Sequence, residues 1–418
     1  MLYEQWRKIA AGRGGETAMR EAASGHRWTF AELFAAGETR NVGDADISYP
    51  QGHAPEFIFD LLAAWRKNQT SCPLEPGQEL PKIPAPPKNC VHLKSTSATG
   101  GKARFVAFTA EQLAADAENI VATMGLRPDW PNLGVISLAH SYGFSNLVLP
   151  LLLQGIPLIL APAPLPEIVR RAVENEKSIT LPAVPAMWRA WHQAGAIPSN
   201  VRLAISAGAP LPVNLEAEVF QSCGLKIHNF LGSSECGGIA YDATEAQRTD
   251  AALVGTPMRN VKLSVNADGC LLVQSRSVAE SYWPEKHVAL GGGNFQTCDL
   301  AEIKDGQVFL RGRLGDQINV AGRKVSPETI ERVLLAHPQV RECLVFGVPS
   351  RDTTRLEIIV AVVVTDIGEP VLKQFLLGKL PAWQVPREWR FVETLPDNPR
   401  GKISRLEWRR RFIADTFA

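Results

Sequence analysis

The sequence predicts an α/β protein with two units, a large N-terminal one built on a mostly parallel sheet and a small α+β one at the C-terminus. Between about residues 133 and 231, short apolar runs alternate with segments that can form helices of about 8–14 residues. This alternation is typical of a parallel sheet with helices on both faces. Beyond residue 315 the predicted elements are helix, two strands, helix, strand and helix, which is typical of a separate small unit.

The length and composition agree with this division. The 418 residues exceed what one compact core usually holds. Hydrophobic residues make up 45% and charged residues 21% of the chain, as in ordinary globular proteins. A net charge of +1 provides no basic field for nucleic acid. The seven cysteines are scattered without a CxxC pair, which favours a reducing compartment and argues against a structural zinc site.

Two segments bear on targeting and membranes. The first fifteen residues contain no apolar core, so no signal peptide is predicted. Residues 147–165 are about as long and apolar as a membrane span, but Gln154, Gly155 and several prolines divide them into a helix, a turn and a strand. We therefore expect a cytoplasmic protein without a membrane span.

Polar segments rich in small residues follow two of the predicted parallel strands, at residues 206–210 (SAGAP) and 229–235 (NFLGSSE). Ligands of such sheets bind at the carboxyl ends of the strands, so both segments are expected on one rim. A third segment, residues 94–106, is rich in hydroxyl groups and glycine and contains Lys102 and Arg104. Its backbone N–H groups and hydroxyls suit a polyphosphate, although the Walker spacing is absent.

The strongest pattern lies near the C-terminus. Residues 311–331 (RGRLGDQINVAGRKVSPETIE) indicate a strand, a turn, a basic strand and a helix, with Ser326 as N-cap and Pro327 at the first helical position. Residues 395–405 (LPDNPRGKISR) place Lys402 at a turn before a final basic helix.

Together these segments resemble the adenylate-forming superfamily of AMP-dependent synthetases and ligases, which includes acyl-CoA synthetases, adenylation domains and luciferase. The family motifs LPRTxxGKIxR, YGSTE, WxTGDL and TSGTTGKPKG are similar to LPDNPRGKISR, FLGSSE, TCDL and TSATGGKARF. The resemblance covers nearly the whole chain, with a shortened first part, and is closest to acyl-CoA synthetases. It implies a large domain of layered sheets and helices with a β-barrel subdomain (1–313) and a small mobile domain (316–418).

The resemblance also implies an ATP site. Asn229 would bond the adenine amino group, Ser234 the α-phosphate, and Asp299 both ribose hydroxyls. Arg313 would reinforce the ribose or phosphate side, and Leu231 stands where the family has an aromatic residue that stacks on adenine. The other residues implied in nucleotide binding are Thr96, Ser97, Thr99, Gly101, Lys102, Arg104, Gly208, Ala209, Pro210, Phe230, Gly232 and Ser233.

Further roles follow from the same resemblance. Lys402 would reach the acid carboxylate and the α-phosphate, with Ser234 and Glu235 as its catalytic partners, and Glu235 would hold Mg²⁺. Gly315 would be the hinge of the small domain, and Gly322 would border the tunnel for the thiol. The residues implied in the acid pocket are His140, Tyr142, Phe144, Ser145, Gly208 and Gly232.

The implied activity is ATP-dependent conversion of a small fatty or aryl acid to acyl-AMP with release of pyrophosphate, followed by transfer to the thiol of CoA. An amino acid is disfavoured because no acidic residue is placed to hold an α-amine. One alternative is a ligase that loads the phosphopantetheine of an acyl carrier protein, which the basic run of Arg405 and residues 409–411 would suit. Another is a catalytically weakened adenylate-binding relative, suggested by Gly100, Leu231, Cys298 and the shortened first part. A purely structural interaction protein would have no reason to keep these motifs in order.

Overall fold

The computed structural model describes residues 1–96, 104–350, 357–395 and 404–417. Within these ranges the helices are α1 (Leu2–Gly12), α2 (Phe30–Thr39), α3 (Pro55–Arg66), α4 (Ala110–Met124), α5 (Ser141–Gly143), α6 (Leu149–Gln154), α7 (Pro166–Ala172), α8 (Pro185–Gln193), α9 (Val213–Cys223), α10 (Pro327–Leu335), α11 (Glu369–Leu377) and α12 (Arg405–Phe417). A π-helical turn, Phe144–Val148, joins α5 to α6, and 3-10 turns occupy Leu314–Asp316 and Ala382–Gln384.

The strands belong to four sheets. They are β1 (Thr17–Glu21), β2 (Arg27–Thr29), β3 (Ile47–Ser48), β4 (Thr70–Ser71), β5 (His92–Thr96), β6 (Arg104–Phe108), β7 (Asn132–Gly134), β8 (Leu158–Leu160), β9 (Ile179–Ala183), β10 (Val201–Ser206), β11 (Ile227–Ser233), β12 (Gly237–Tyr241), β13 (Leu253–Pro257), β14 (Lys262–Val265), β15 (Cys270–Gln274), β16 (Ser281–Trp283), β17 (Leu290–Gly291), β18 (Asn294–Lys304), β19 (Gln307–Arg313), β20 (Ile318–Val320), β21 (Arg323–Val325), β22 (Val340–Pro349), β23 (Glu357–Thr365) and β24 (Glu388–Phe391).

The predicted parallel sheet is confirmed. Strands β11, β10, β9, β7 and β8 pair in parallel in that order, and β8 also pairs in parallel with β1. Beyond β11 the same sheet continues with the antiparallel strands β12, β13, β19, β18, β15 and β14. A second sheet has the order β16, β6, β5, β4, β3. Its strands β5 and β6 lie immediately before and after residues 97–103.

Local sequence explains where helix α4 begins and ends. Thr109 and Gln112 form a capping box at its start, since each side chain bonds the other residue's backbone N–H. Gly125 ends the helix in the left-handed conformation, with φ of 67°.

The predicted cap of α10 is wrong in one respect. Ser326 is the N-cap residue and its hydroxyl donates to the Glu328 carboxylate, but its oxygen accepts no backbone N–H of the helix.

The apolar stretch of residues 147–165 forms the predicted helix, turn and strand. Helix α6 ends at Gly155, whose φ is 68°, and the chain then enters strand β8. Among the helices of the described ranges, none combines the length and the apolar character needed to cross a bilayer.

The C-terminal part matches the predicted order of elements, with β22, β23 and β24 forming its three-stranded sheet. One face of this sheet packs on α10 and α11 through a core that includes Val345, Ile330 and Leu372. The other face packs on α12, where Phe346 and Phe412 lie 6.0 Å apart between ring centroids. The unit therefore has apolar cores of its own.

A buried histidine, His92, and a half-buried one, His53, are expected to make the protein less stable as the pH falls below about 6.5. His92 stacks on Phe144 at 4.0 Å between ring centroids and its Nδ1 lies 2.9 Å from Ser71 Oγ. Burial lowers the pKa of His92 well below its usual value, and it also lowers the pKa of His53. The unfolded chain therefore binds more protons in this range, so stability is complete above about pH 6.5 and declines toward the folded-state pKa values. Urea midpoints at pH 7.5, 6.5 and 5.5 measure the decline.

The variant His92→Phe serves as the control for that measurement, because it keeps the stacked ring and removes one titrating group. Its urea midpoint should fall less between pH 7.5 and 5.5 than that of the parent protein. Equal midpoints at all three pH values in the parent protein would contradict the prediction.

Candidate active site

The hairpin between β11 and β12 presents Ser234 and Glu235, both half-buried. Ser233 Oγ accepts the backbone N–H groups of Glu235 at 3.2 Å and of Cys236 at 3.3 Å, which fixes the turn. Gly237 has a φ of 68°, and a Cβ there would lie 2.0 Å from Asp116 Oδ1. Only glycine fits this position, so the direction in which Glu235 points follows from the local chain.

Tyr282 and Arg104 lie beside the Glu235 carboxylate. The Tyr282 hydroxyl donates to Glu235 Oε1 at 3.0 Å, and the Arg104 guanidinium lies 3.2 Å from the centre of the Tyr282 ring. Burial and the neighbouring Glu235 carboxylate raise the pKa of Tyr282. The two residues are neighbours because β16 pairs with β6, where Tyr282 is opposite Val106. Arg104 was a predicted site residue, whereas Tyr282 was missed.

The segment that begins at His140 reaches the hairpin. Ser141 Oγ donates to Ser234 Oγ at 2.9 Å. His140 Nε2 lies 3.3 Å from a carboxylate oxygen of Glu75, and Ser137 Oγ donates to the same oxygen at 2.5 Å. Sequence reasoning missed Glu75, which lies 65 positions before His140 and belongs to no recognised motif.

The other predicted pocket residues on this segment face inward. Tyr142 is half-buried, its hydroxyl 3.3 Å from the Ala183 carbonyl and its ring 6.0 Å from that of Phe230. Phe144 is fully buried against His92, and Ser145 is 2% exposed. In this structure the side chains of Phe144 and Ser145 do not face solvent, and their place in an acid pocket stays a prediction.

The predicted adenine side lies at the carboxyl ends of β10 and β11, where Ser206 pairs with Asn229. Gly208 has a φ of 85° and, like Ala209 and Pro210, is exposed. The Asn229 amide nitrogen donates to the Leu253 carbonyl at 3.1 Å. The remaining residues predicted here are placed along β11, with Phe230 buried, Leu231 half-buried and Gly232 exposed.

A buried network of charges supports this side. The Glu216 carboxylate, fully buried on α9, accepts from Arg248 Nε at 2.8 Å and bonds Lys226 Nζ, which also lies 2.9 Å from Asp242. Arg248 donates in turn to the Leu253 carbonyl at 2.9 Å and to Leu211 at 2.8 Å. The network therefore ties α9 to the two backbone segments next to residues 206–210 and Asn229.

The predicted ribose residues are brought together across β18 and β19. Asp299 is opposite Arg313, and Arg313 Nε donates to Asp299 Oδ1 at 2.8 Å. Asp299 is 19% exposed at its side chain, which leaves the carboxylate accessible. Thr297 Oγ1 accepts the Asp299 backbone N–H at 3.0 Å and fixes the turn.

Several predicted residues lie outside the described ranges: Ser97, Thr99, Gly101, Lys102 and Lys402. Thr96 ends β5 opposite Arg104. Gly315 lies in the 3-10 turn that links the two parts of the chain, and Gly322, with φ of 83°, lies in the β20–β21 hairpin. After the Lys402 segment, Arg405 is held by Asp316 at 2.6 Å and Glu331 at 2.8 Å.

The residues fit a magnesium ion only as part of a nucleotide complex. In the described ranges, no three His, Cys, Asp or Glu residues are grouped so that they could hold a metal ion by themselves. Glu235 contributes one carboxylate, with one of its oxygens bonded by Tyr282. A hard cation on phosphate oxygens needs little more than one carboxylate and water, so the donor type is suitable.

Comparisons with known proteins identify the family of the chain. Residues 41–283 match the family of AMP-binding enzymes and residues 329–402 the AMP-binding enzyme C-terminal domain. Feruloyl-CoA synthase from an Amycolatopsis species is 30% identical over 359 residues, covering 80% of this chain and 72% of the relative. The mitochondrial malonate–CoA ligase of Mus musculus is 29% identical over 374 residues, covering 75% and 63%. ATP-bound MatB from Rhodopseudomonas palustris has a TM-score of 0.86 at 21% identity, with 99% of each chain covered.

The fold and the ordered motifs thus define an adenylate-forming enzyme. The chain belongs to the family of AMP-binding enzymes. It is an acid–thiol ligase that activates a carboxylic acid with ATP.

Proposed function

We propose that the Glu235 hairpin and its neighbours form the site of acyl-adenylate formation. The acid carboxylate attacks the α-phosphate of ATP, and pyrophosphate leaves. The protein contributes positioning and charge neutralisation and forms no covalent bond to the substrate. The contact between Ser141 and Ser234 carries this proposal, because it brings the segment implied in acid binding against the segment implied in phosphate binding.

The individual roles follow from the chemistry of each group. Ser234, Arg104 and Lys102 bind the phosphates, and Asp299 with Arg313 holds the ribose. Glu235 holds Mg²⁺, which neutralises phosphate charge when it is bound. Lys402 supplies a mobile positive charge for the carboxylate and the α-phosphate.

We further propose that residues 316–418 move as a unit about Gly315, relative to residues 1–313, between the two half-reactions. Gly315 is exposed, and a Cβ at this position would meet nothing within 4 Å. Gly322 would then border the thiol tunnel. A location in the cell stays a prediction of the sequence.

The proposed substrate is a fatty or aryl acid. The relative with 30% identity is named a feruloyl-CoA synthase, and others are named for malonate, 2-succinylbenzoate and long-chain fatty acids. Glu75 is the acidic residue that the structure adds next to His140, but its carboxylate is already bonded by His140 and Ser137. An α-amine would have to compete with these partners, which disfavours an amino acid.

CoA is favoured over a carrier protein because arginines of the basic C-terminal helix α12 already contact acidic groups and carbonyls of this chain. Among the described residues, Arg405 contacts Asp316 and Glu331, Arg409 contacts the Gly347 carbonyl and Glu357, and Arg411 contacts Glu407. These contacts reduce the positive charge available to an acidic carrier protein. Carrier-protein loading remains the second candidate for the acceptor step.

Carboxylate-dependent exchange of pyrophosphate into ATP, across a panel of aryl and fatty acids, tests the proposal. Exchange with one class of acid is expected, followed by thioester formation when CoA is added. Formation of thioester only with a phosphopantetheine-bearing protein would support the carrier alternative. ATP binding without exchange for any acid would contradict the proposal and favour the weakened relative, with Leu231 as the first residue to restore to an aromatic.

Replacing Tyr282 with phenylalanine is expected to raise the Mg²⁺ concentration for half-maximal exchange about ten-fold. The change removes the hydroxyl that bonds Glu235 and keeps the ring that contacts Arg104. Stability should fall by only about 1 kcal/mol, since Glu235 is half-buried and can bond water instead. Exchange rates measured over a Mg²⁺ titration test this expectation.

Tyr241→Phe is the matched control, because the buried Tyr241 hydroxyl has no hydrogen-bond partner within the described part of the chain. Its Mg²⁺ requirement should equal that of the parent protein. If Tyr282→Phe behaves in the same way, Tyr282 does not act on the carboxylate.

A further inference from the structure

A lysine ammonium lies in the core beneath the Glu235 hairpin. Lys94, on β5, is 4% exposed. Its Nζ lies 3.4 Å from Ser145 Oγ and 4.5 Å from the centre of the Phe108 ring. Burial lowers the pKa of Lys94, because the apolar surroundings disfavour the charged form. An ammonium in such a place is costly unless an opposite charge is near.

The opposite charge is Asp116 on helix α4, which is 2% exposed. Its Oδ2 accepts from Ser145 Oγ at 2.6 Å, so Ser145 bridges the lysine and the carboxylate. Its Oδ1 accepts the backbone N–H of Gly238 at 3.0 Å. We refer to these three side chains as the Lys94–Ser145–Asp116 network.

The network touches three segments that the proposed function needs. Lys94 lies on the strand that leads into residues 97–103, the implied phosphate loop. Ser145 follows the segment of His140, and Gly238 stands three residues after Glu235. The carboxylate also occupies the space where a Cβ of Gly237 would lie, at 2.0 Å. Asp116 therefore contacts the hairpin turn at two consecutive residues.

Stability alone does not account for this arrangement. Buried ion pairs can usually be replaced by apolar residues of similar volume without loss of stability. A buried carboxylate that accepts a backbone N–H at a fixed turn does, however, set the position of that turn. The neighbouring group whose position would matter is the Glu235 carboxylate.

We propose that Asp116, balanced by Lys94 through Ser145, is a positioning residue that holds the hairpin turn so that Glu235 faces the Mg²⁺ of the nucleotide. This inference rests on the proposed function. It assigns no contact between Asp116 and substrate, because the side chain is enclosed by protein.

The test compares Asp116→Asn, Lys94→Met and the double variant with the parent protein. The Mg²⁺ concentration for half-maximal ATP binding, measured by calorimetry, and for pyrophosphate exchange should both rise about ten-fold in the single variants. The KM for the acid should stay within about two-fold, since the acid does not contact this carboxylate. The double variant should regain melting temperature relative to the single ones, because neither buried charge is left alone, but keep the raised Mg²⁺ requirement.

Glu176→Gln is the control for loss of a partly buried ion pair elsewhere. Glu176 lies 3.0 Å from Arg20, on a strand at the far end of the large sheet. The Glu176→Gln variant should lower the melting temperature and leave the Mg²⁺ requirement unchanged. If Asp116→Asn does not fold, Lys94→Met and the double variant provide the same comparison.

A lower melting temperature with an unchanged Mg²⁺ requirement in all of these variants would overturn the inference and leave the network a structural one. Failure of the proposed function has a different signature, namely absence of exchange in the parent protein with every acid. The calorimetric titration of ATP with Mg²⁺ still decides the role of Asp116 in that case. Equal Mg²⁺ dependence of ATP binding in parent and variants would again overturn it.

Discussion

Replacing Lys402 with alanine is expected to slow acyl-adenylate formation by about 10²–10³-fold, the usual effect of removing one group that stabilises transition-state charge. Negative charge redistributes between the carboxylate and the α-phosphate as the bond forms, and the ammonium follows it as a mobile point charge. ATP affinity should change little, because the residues proposed to bind the ribose and the adenine belong to residues 1–313. Pyrophosphate exchange and ATP calorimetry measure the two quantities separately.

The structure gives this lysine an anchored neighbour. Arg405, three residues later, is held by Asp316 and Glu331 and donates to the Val345 carbonyl at 2.8 Å. A matched control is Lys373→Ala, which removes an exposed lysine of the same unit that lies 3.8 Å from Glu369. If both variants exchange pyrophosphate at the parent rate, Lys402 has no part in adenylation.

Replacing Glu216 with glutamine is expected to lower the free energy of unfolding by about 3–5 kcal/mol, the usual cost of leaving a buried charge without its partner. Arg248 would lose its contact with the Glu216 carboxylate, and Lys226 would keep its contact with Asp242. Because Arg248 also bonds the Leu211 and Leu253 carbonyls, the KM for ATP should rise as well. Urea denaturation and the ATP dependence of exchange measure both effects.

Glu218→Gln is the control on the same helix. Glu218 is 48% exposed and lies 3.8 Å from His192. Exposed pairs contribute about 0–1 kcal/mol, so this variant should denature close to the parent protein. Similar urea midpoints for Glu216→Gln and the parent would show that the Glu216 carboxylate does not stabilise the fold as predicted.

The sequence predicted those parts of the molecule that depend on neighbours along the chain. The alternation of strands and helices and the turns after β10 and β11 depend on short segments with recognisable chemistry. Tyr282 contacts Glu235 from 47 positions away and Asp116 contacts Gly238 from 122. Such contacts arise only when elements far apart in the sequence pack together, and no local pattern indicates them.

The segment after His140 shows a second limit. Phe144 to Val148 form a π-helical turn. This wider turn shifts the side chains that follow relative to an ordinary helix. A period of 3.6 residues therefore cannot predict which of them face a cleft, and Phe144 and Ser145 face the core. The sequence around Ser145 does not indicate that its hydroxyl bonds an aspartate on α4.

The pairing of Asp299 with Arg313 has a thermodynamic consequence. Arg313 stands two residues before Gly315, so a group that bonds the Asp299 carboxylate acts within two residues of the proposed hinge. If a nucleotide there favours one orientation of the small domain, linkage requires that orientation to bind the nucleotide more tightly by the same factor. Movement of residues 316–418 would then alter nucleotide affinity reciprocally, and release of AMP would be coupled to the turnover cycle through a single ion pair.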